Sequence, residues 1–399
     1  MAVSVSELRT KTEELFDSMV DVRRHLHRNP EVSFKEHDTS RYIVGELEKL
    51  GIPVEQPLDT GCIGVLKGEE DGPVVALRAD IDALAMQEEG EHKQGFLSTR
   101  PGAAHCCGHD AHTANLLGTA SLLTHFREHI RGTVLLIFQP GEEKLPGGGR
   151  LLSESGFLQK LGVEAIYGLH TSPHHAPGTI VIKEGPMMAR PDEFEIELIG
   201  KGGHAAAPHM AIDPIIMAAE VVSQFQTIVS RSVDPTVPAV VTIGKLEAGS
   251  TYNVISEKAN LLGTVRTFSR DTALLIRDRM EAILEGITTG AGGSYKFQFN
   301  EGYPAVINDE TLTERVRKAG TRLLGNEKVI DLERPVMAGE DFAFYQEHFP
   351  GTFFFLGSGS EESGSTWSWH HPRYNVDEQC FLSGAPLMAS LVLEMEDEA

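Results

Sequence analysis

The sequence predicts an α/β fold: a mixed open sheet with helices on both faces, interrupted by an inserted ferredoxin-like α+β domain. Three observations support this prediction. Short apolar runs, typical of buried parallel strands, alternate with helical patterns in the first half of the chain, at residues 74–79, 133–138 and 163–169. From about residue 187 the order becomes β-α-β-β-α-β, as in a ferredoxin-like unit. With 399 residues, the chain is also too long for one compact core and suits two domains.

The remaining elements follow from apolar spacing and from chain breakers. Helical spacing covers residues 5–28 and again residues 38–50, where Gly51 and Pro53 end the pattern. The inserted domain is predicted to contain strands at 193–199, 239–246, 259–268 and 295–300 and helices at 214–230 and 272–286. After it we expect a helix at 312–324, a buried strand at 352–356 and a last helix from Asp377. We therefore predict a metal-binding catalytic domain at 1–186 and 302–399, and an inserted domain at 187–301.

Charge and cysteine content argue against two classes of partner. A formal net charge of −23 leaves no basic patch large enough to bind nucleic acid or an anionic membrane. The amino terminus has charges where a signal peptide needs an apolar core, and no run reaches the ~18 apolar residues of a membrane helix. Four cysteines, two of them adjacent, do not form a disulfide framework in so long a chain. We expect a cytoplasmic protein with reduced thiols.

One stretch, His105 to Thr113, concentrates metal-ligating residues: its nine positions hold three histidines and two cysteines. Cys107 and His109 are two apart, so in an extended segment both side chains leave the same face and reach one metal ion. Asp110 is placed to cap the apolar helix that follows and to accept the spare ring N–H of a coordinated histidine. The alternative is a solvated histidine-rich turn, because short Cys/His tracts are only compositional evidence.

Charged residues follow each of the three apolar strands. Asp80 and Asp82 come after the first, Glu142 and Glu143 after the second, and His170 after the third. Strand carboxyl ends form the ligand crevice of an open α/β sheet, so we expect these five side chains around one site. One carboxylate of the glutamate pair can hold metal while the other moves a proton. Taken alone, an acidic pair is usually a solvated surface, and His170 is equally compatible with a core position.

Nine short motifs then occur in a specific joint order: RRHLHRNPE at 23–31, LRADIDAL at 77–84, CGHDAHT at 107–113, QPGEE at 139–143, GLH at 168–170, GKGGHAAAPH at 200–209, GTVRTF at 263–268, GEDF at 339–342 and HHP at 370–372. Together they resemble the dinuclear-metal aminoacylase and carboxypeptidase superfamily, in the branch of hippurate hydrolase, N-acyl-amino-acid amidohydrolases and plant auxin-conjugate hydrolases. The resemblance covers nearly the whole chain. It implies a zinc-exopeptidase-like catalytic domain with an inserted lid or dimerisation domain.

The resemblance implies a role for each matching residue. The metal ligands would be Cys107, His109, Glu143, His170 and His370, with Glu142 as the general base and Asp82 as a supporting carboxylate. His371 competes with His370, which is preferred because the family's ligand stands two residues before the proline. In the inserted domain, His204 would donate to the developing oxyanion, and Asn253 and Arg266 would hold the substrate carbonyl and carboxylate. Without the resemblance, His204 is a loop histidine and Arg266 suits a structural ion pair equally well.

The activity implied is hydrolysis of the amide bond of N-acyl amino acids with two divalent ions, which zinc, manganese, cobalt or nickel would fit. A dipeptidase or carboxypeptidase of the same superfamily is the alternative, followed by a cysteine hydrolase that uses Cys107 or a non-catalytic protein with one structural zinc. The partner is a small molecule; the inserted domain suits pairing of two chains, although a monomer is equally compatible. Cys106, Ala85 and the Lys144-Leu-Pro segment depart from the family pattern without removing a ligand or the base.

Overall fold

The computed structural model describes residues 2–396, which form two compact units. The first holds residues 2–187, 307–334 and 341–396, and the second holds Met188–Val306 and Pro335–Glu340. Residues 335–340 belong with the second unit because Val336 pairs with Met188, and the Val336 and Ala338 carbonyls accept the Ala189 N–H at 3.0 and 2.9 Å. The sequence had placed this short segment in the first domain. The functional division into a catalytic domain and a lid stays a prediction.

Residues 2–396 contain ten α-helices, numbered in chain order: α1 Val5–Arg28, α2 His37–Lys49, α3 His109–His125, α4 Gly148–Glu154, α5 Phe157–Leu161, α6 Pro214–Arg231, α7 Arg270–Ala291, α8 Glu310–Leu324, α9 Ala343–Gln346 and α10 Phe381–Ser390. Short 3₁₀ turns occupy Glu91–Lys93, Arg127–His129, Pro208–Met210, Asn326–Lys328 and Glu378–Cys380. Helix α1 begins with a capping box, in which the Ser4 hydroxyl accepts the Glu7 N–H and the Glu7 carboxylate accepts the Ser4 N–H.

The strands of the first unit are β1 Val54–Glu55, β2 Cys62–Lys67, β3 Glu70–Asp80, β4 Arg131–Gln139, β5 Val163–Ser172, β6 Ile180–Ile182, β15 Val329–Asp331 and β16 Gly351–Gly357. The second unit contains β8 Arg190–Ile199, β9 Gly203–His204, β10 Val240–Ala248, β11 Val254–Ile255, β12 Lys258–Thr267 and β13 Ser294–Asn300. Strands β7 Gly185–Met188 and β14 Val306–Asn308 pair with each other.

The first unit is built on an eight-stranded sheet in the order β1-β2-β4-β3-β5-β16-β6-β15. Strands β4, β3, β5 and β16 run parallel, whereas β2 and β6 are antiparallel to their neighbours β4 and β16. The central strands are apolar because both faces of the sheet are covered; Val134 to Phe138 of β4, for example, are all buried. The predicted mixed α/β class is confirmed.

Helix α3 lies inside the first unit. Every residue from His109 to Ala120 is buried, and the apolar residues are not confined to one stripe, as expected for a helix packed on all sides. It contacts α1, α10 and β3. Its amino-terminal end is therefore held rigidly beside the strand ends of the sheet.

The second unit is a four-stranded antiparallel sheet in the order β10-β12-β8-β13, with α6 and α7 packed on it. In strand β8, Phe194, Ile196 and Leu198 join the core, while the glutamates between them do not. This alternation is what one helix-covered face requires. The strand order agrees with the predicted ferredoxin-like arrangement. Among residues 2–396, no helix has the length and apolar character needed to cross a bilayer.

Candidate metal centre

Neighbouring parallel strands bring the predicted side chains to one edge of the first unit's sheet. Asp80 ends β3, the segment after β4 carries Glu142 and Glu143, and His170 lies near the end of β5. Helix α3 begins beside them with His109. The convergence follows from the strand order, because β4, β3 and β5 are adjacent in the sheet.

Two groups of donor atoms share one cysteine. Within each group the donor atoms lie no more than 4.8 Å apart: one group is Cys107, His109 and His170, and the other is Cys107, Glu143 and His370. The Cys107 Sγ is 3.3 Å from His170 Nε2, and the His370 Nε2 is 3.2 Å from Glu143 Oε1. A tetrahedral ion ~2.3 Å from sulfur and ~2.0 Å from nitrogen holds those atoms roughly 3.5 Å apart. The spacing of the donors therefore fits divalent ions.

Between Cys107 and His109 the backbone has a different conformation from the extended one that the sequence predicted. Gly108 is at φ +103°, so the segment is bent there rather than extended, and His109 is already the first helical residue. Asp110 does not cap the helix. Its Oδ2 instead accepts from His27 Nδ1 at 2.7 Å and Arg23 Nε at 2.9 Å. The predicted role of Asp110 as partner of a ligand histidine is wrong, because its Oδ2 binds these basic groups of α1 and no candidate ligand histidine among residues 2–396 contacts it.

Asp82 takes the role that the sequence gave to Asp110. Its Oδ1 is 3.1 Å from His109 Nδ1, and its Oδ2 accepts from the Ser33 hydroxyl at 2.7 Å and the Glu143 N–H at 3.0 Å. A ring N–H at His109 Nδ1 leaves the lone pair at Nε2 facing the donor groups. One buried carboxylate thus orients both His109 and Glu143.

Two buried atoms at the centre have no hydrogen-bond partner within residues 2–396: His109 Nε2 and Glu143 Oε1. They belong to the same group of candidate ligand atoms. Buried polar atoms are nearly always satisfied, and these two lie 3.9 Å apart with His370 Nε2 3.2 Å from the carboxylate oxygen, an arrangement that a cation between them would satisfy. The residues present fit the metal ions that the sequence predicts.

The protonation states also suit a cationic centre. Burial, followed by the nearby carboxylates Glu143 and Glu142, raises the pKa of the Cys107 thiol well above its usual range. Burial lowers the pKa of His170 well below its usual range, and its Nδ1 faces the Thr171 carbonyl at 2.8 Å. The neutral imidazole therefore presents Nε2 as a ligand.

Glu142 is buried next to the donor groups, within 4.8 Å of donor atoms of both His109 and Glu143. The Asp341 N–H lies 3.4 Å from Glu142 Oε1. This places a second carboxylate beside the candidate ligands, as a general base requires.

The structure distinguishes the two neighbouring histidines of the HHP motif. His370 points to Glu143, and its N–H donates to the Cys106 carbonyl at 2.8 Å. The ring of His371 instead stacks on Trp367 with centroids 4.3 Å apart. His370 has a backbone φ of +64°, which is uncommon for a non-glycine residue and costs on the order of 1–3 kcal/mol. This geometry supports the choice of His370 over His371.

Residues 76–394 match the peptidase family M20/M25/M40. The chain belongs to this family. It is 42% identical over 377 residues to N-acetylcysteine deacetylase of Bacillus subtilis, which covers 94% of this chain and 96% of the relative. It is 40% identical over 388 residues to the IAA-amino acid hydrolase ILR1-like 4 of Arabidopsis thaliana, which covers 96% of this chain and 86% of the relative.

A solved structure extends the likeness to three dimensions. The Bacillus subtilis YXEP protein, described as a dinuclear metal binding peptidase from the M20 family, matches with a TM-score of 0.81 at 38% identity, covering 95% of this chain and 98% of that one. The resemblance stated from the sequence is confirmed. This M20 protein is a metal-dependent hydrolase of amide bonds, and the predicted enzyme class is confirmed.

The second unit of this M20 chain carries the three remaining predicted site residues. His204 in β9 pairs with Val254 of β11, and the neighbouring Ala205 N–H donates to the Asn253 carbonyl at 3.1 Å, so His204 and Asn253 lie together. Arg266 lies near the far end of β12, which starts at Lys258. Eight residues of strand span roughly 26 Å. Arg266 therefore lies far along β12 from Lys258, whereas His204 and Asn253 lie together at the β9–β11 pair.

Sequence reasoning missed a second buried polar group beside the metal centre of the M20 fold. This six-charge cluster consists of Arg23, His27, Glu88, Lys93, Asp110 and Glu378. Two of its members lie in the RRHLHRNPE motif at 23–31, which was used only for its resemblance. Reasoning from the residues also missed His112, although it lies one helical turn after His109 and that spacing was the available signal.

Proposed function

We propose that the protein hydrolyses the amide bond of small N-acyl amino acids and releases a carboxylic acid and a free amino acid. Two divalent ions would be held by Cys107, His109, Glu143, His170 and His370, and Glu142 would act as general base. The observation that carries the proposal is the pair of donor groups that share Cys107, with Glu142 buried beside them. A closed structural zinc site needs four ligands and no free base, so this arrangement favours catalysis.

The chain's own residues have separable tasks in this reaction. When bound, divalent ions act as Lewis acids and make water acidic enough to attack near neutral pH. Glu142 takes the proton of the attacking water and returns it to the leaving amine. Asp82 keeps His109 and Glu143 in the orientation that ligation needs. The shared thiolate of Cys107 fixes the spacing of the two donor groups.

Side chains of the second unit would bind the substrate. The Nδ1 of His204 accepts the Ala206 N–H at 3.0 Å, so the ring proton of the neutral imidazole is on Nε2 and is available to an oxyanion. Arg266 forms no salt bridge with a described residue, which favours a ligand carboxylate over a structural ion pair. Burial lowers the pKa of Arg266, and a substrate carboxylate would offset this cost.

The test of the base is a comparison of Glu142→Gln with Glu164→Gln, an exposed glutamate on β5. We expect Glu142→Gln to keep both metal ions and lose at least about 100-fold in kcat, while Glu164→Gln behaves like wild type. Elemental analysis measures the metals, and amine release measures turnover. A Glu142→Gln protein with full metal and full activity would contradict the assignment.

Substrate class is tested with acetyl, benzoyl and indoleacetyl amino acids beside unblocked dipeptides. The proposal predicts faster turnover of the acylated compounds. Faster cleavage of the dipeptides would instead favour a dipeptidase. To determine the metal preference, a chelator first removes the bound ions. The same assay then measures the activity that returns after addition of zinc, manganese, cobalt or nickel.

We further propose a homodimer formed through the second unit. His204 and Arg266 lie on different strands of the second unit, β9 and β12, and a second copy would supply one of them to the site of the first. Large apolar side chains are exposed on this unit, with Met210, Ile216 and Tyr252 at 63%, 59% and 95% of their surface.

Light scattering should give twice the chain mass, and Ile216→Glu should reduce the measured mass. Mixing inactive His204→Ala and Glu142→Gln chains should restore activity; a wild-type monomer would contradict the proposal.

We place the protein in the cytoplasm, again as a proposal. All four cysteines are free and buried, which suits a reducing compartment. Cell fractionation followed by immunodetection is the test.

A further inference from the structure

His112 lies between the two candidate ligand imidazoles but is not itself among the predicted ligands. Its ring centroid is 4.5 Å from that of His170 and 5.4 Å from that of His109. The side chain is buried in the first turns of α3. Neither the sequence prediction nor the proposed reaction gives it a role.

Both ring nitrogens of His112 have partners that determine its tautomer. Nε2 lies 2.9 Å from the Thr171 backbone nitrogen, which can only donate, so Nε2 must accept. Nδ1 lies 2.6 Å from Asp80 Oδ1 and therefore carries the proton that it donates to this carboxylate. His112 is thus held as a neutral imidazole in one orientation.

His112 binds the backbone N–H of Thr171, and the carbonyl of the same residue, which belongs to the next peptide group, orients His170. The Thr171 N–H donates to His112, while the Thr171 carbonyl accepts from His170 Nδ1 at 2.8 Å and from Trp369 Nε1 at 2.8 Å. A proton at His170 Nδ1 leaves Nε2 as the ligand atom, 3.3 Å from Cys107 Sγ. Trp369 directly precedes His370, so the same carbonyl also anchors the segment of another candidate ligand.

Asp80 is fixed on its other side. Its Oδ2 accepts from Arg78 Nη1 at 2.8 Å, and both side chains are fully buried. The chain of contacts Arg78, Asp80, His112 and Thr171 therefore ends at His170, with each step a hydrogen bond of 3.0 Å or less.

We propose that His112, held by Asp80, is a positioning residue for the metal centre: it fixes the backbone of Thr171 through the N–H, and the carbonyl of Thr171 fixes the tautomer and orientation of His170. The inference rests on the proposed function, because it assumes that His170 binds a metal ion. Partners of this kind change metal affinity by about 10–100-fold when removed. The effect falls on the ion bound by Cys107, His109 and His170.

Two substitutions separate hydrogen bonding from packing. His112→Gln can keep an oxygen acceptor for the Thr171 N–H but has no ring, whereas His112→Phe keeps a ring but has no acceptor. His105→Phe is the matched control, since His105 is equally buried in the same segment and neither of its ring nitrogens has a hydrogen-bond partner among residues 2–396. Metal affinity is measured by competition with a chelator. The near-ultraviolet thiolate band of the cobalt-loaded protein reports the bond to Cys107.

We expect His112→Phe to bind one of the two ions about 10–100-fold more weakly and to lose part of the cobalt–thiolate band. His112→Gln should remain closer to wild type than His112→Phe, and His105→Phe should bind both ions normally. Equal affinity of His112→Phe and wild type, or tighter binding by His112→Phe than by His112→Gln, overturns the positioning role. A wild-type protein that binds fewer than two ions contradicts the proposed function instead.

A measurement on the unsubstituted protein makes the result independent of whether the variants fold. Nitrogen-15 NMR of labelled histidines identifies which ring nitrogen carries the proton. The proposal predicts the Nδ1–H form for both His112 and His170 at neutral pH in protein from which a chelator has removed the metal ions. An Nε2–H form of His112 overturns the proposal.

Discussion

Two buried polar regions of the first unit lie on either side of the start of helix α3, and they differ in how their charges are matched. Successive residues of this helix face different regions: His109 faces the metal centre, and Asp110 faces the six-charge cluster. In the cluster, three basic and three acidic groups contact one another. In the metal centre, His109 Nε2 and Glu143 Oε1 are buried without a hydrogen-bond partner among residues 2–396.

The cluster shows buried charges that contact one another, although Asp110 Oδ1 has no hydrogen-bond partner among residues 2–396. His27 has carboxylate oxygens at both ring nitrogens, Asp110 at 2.7 Å and Glu88 at 2.6 Å, so the ring must donate twice and is an imidazolium. Lys93 lies 2.6 Å from the same Glu88 oxygen. Buried charges that contact one another hold elements together, whereas several ligand-type atoms that converge on one place fit a metal ion. The comparison therefore separates architecture from function, and four experiments test it.

The largest effect is expected where the two donor groups meet. Cys107→Ser replaces the shared sulfur with a weak ligand, so we expect at most one ion per chain and a loss of about 10³–10⁴ in activity, equivalent to about 4–5.5 kcal/mol. Elemental analysis and kinetics measure the two effects. The adjacent buried thiol is the control: Cys106→Ser should keep both ions. If instead Cys106→Ser lost an ion while Cys107→Ser kept both, the ligand would be Cys106.

A change inside the cluster should affect stability rather than metal. His27→Leu leaves Asp110 and Glu88 without their shared imidazolium and should cost about 3–4 kcal/mol of unfolding free energy, below the maximum because Arg23 and Lys93 remain. Chemical denaturation measures this loss. Folded His27→Leu protein should still bind two ions. Loss of metal without loss of stability would show that the two regions are not separable.

The cluster should also give an acid-sensitive contribution to stability. Burial alone would raise the pKa of Glu88, but the hydrogen bond and charge of His27 and the charge of Lys93 lower it to about 2. A depressed folded-state pKa stabilises the protein above the unfolded value of 4.5, and this contribution disappears as the pH falls through about 2. Glu88→Gln should cost about 2–3 kcal/mol at pH 6, and its difference from wild type should shrink by pH 3. A pH-independent difference would contradict this account.

The smallest effect is expected for a charge pair outside both regions. Arg317 contacts Asp331 at 2.7 Å, but the Asp331 side chain is 66% exposed. Solvent screens such a pair, so Asp331→Asn should change the unfolding free energy by less than about 1 kcal/mol. The same denaturation assay measures it. A loss as large as that of His27→Leu would remove the distinction between buried and exposed charge on which the comparison depends.

The sequence could predict the metal centre because its parts follow simple local rules. Asp82, Glu142, Glu143 and His170 follow apolar strands, and parallel strands place such residues at one sheet edge. The fold class was predictable for the same reason. The assignment of His370 as a ligand depended on the resemblance. This residue lies in a loop with a backbone φ of +64°, and no local sequence pattern predicts its position.

The cluster could not be predicted because its contacts join distant parts of the chain. Asp110 meets His27 across 83 residues and Arg23 across 87, and nothing near Asp110 signals either partner. Local reasoning gave Asp110 a cap and a histidine partner instead. His112 was overlooked because its partners Asp80 and Thr171 are 32 and 59 residues away.

Gly108 sets the shape of the segment on which both regions depend. Besides its φ of +103°, a Cβ atom there would lie 2.5 Å from Thr171 Oγ1 and 2.8 Å from the Tyr374 hydroxyl. Backbone geometry and crowding thus both restrict this position to the smallest residue. Any redesign of this loop must keep that glycine in place, so variants with a changed substrate preference have to be sought at other positions around the site.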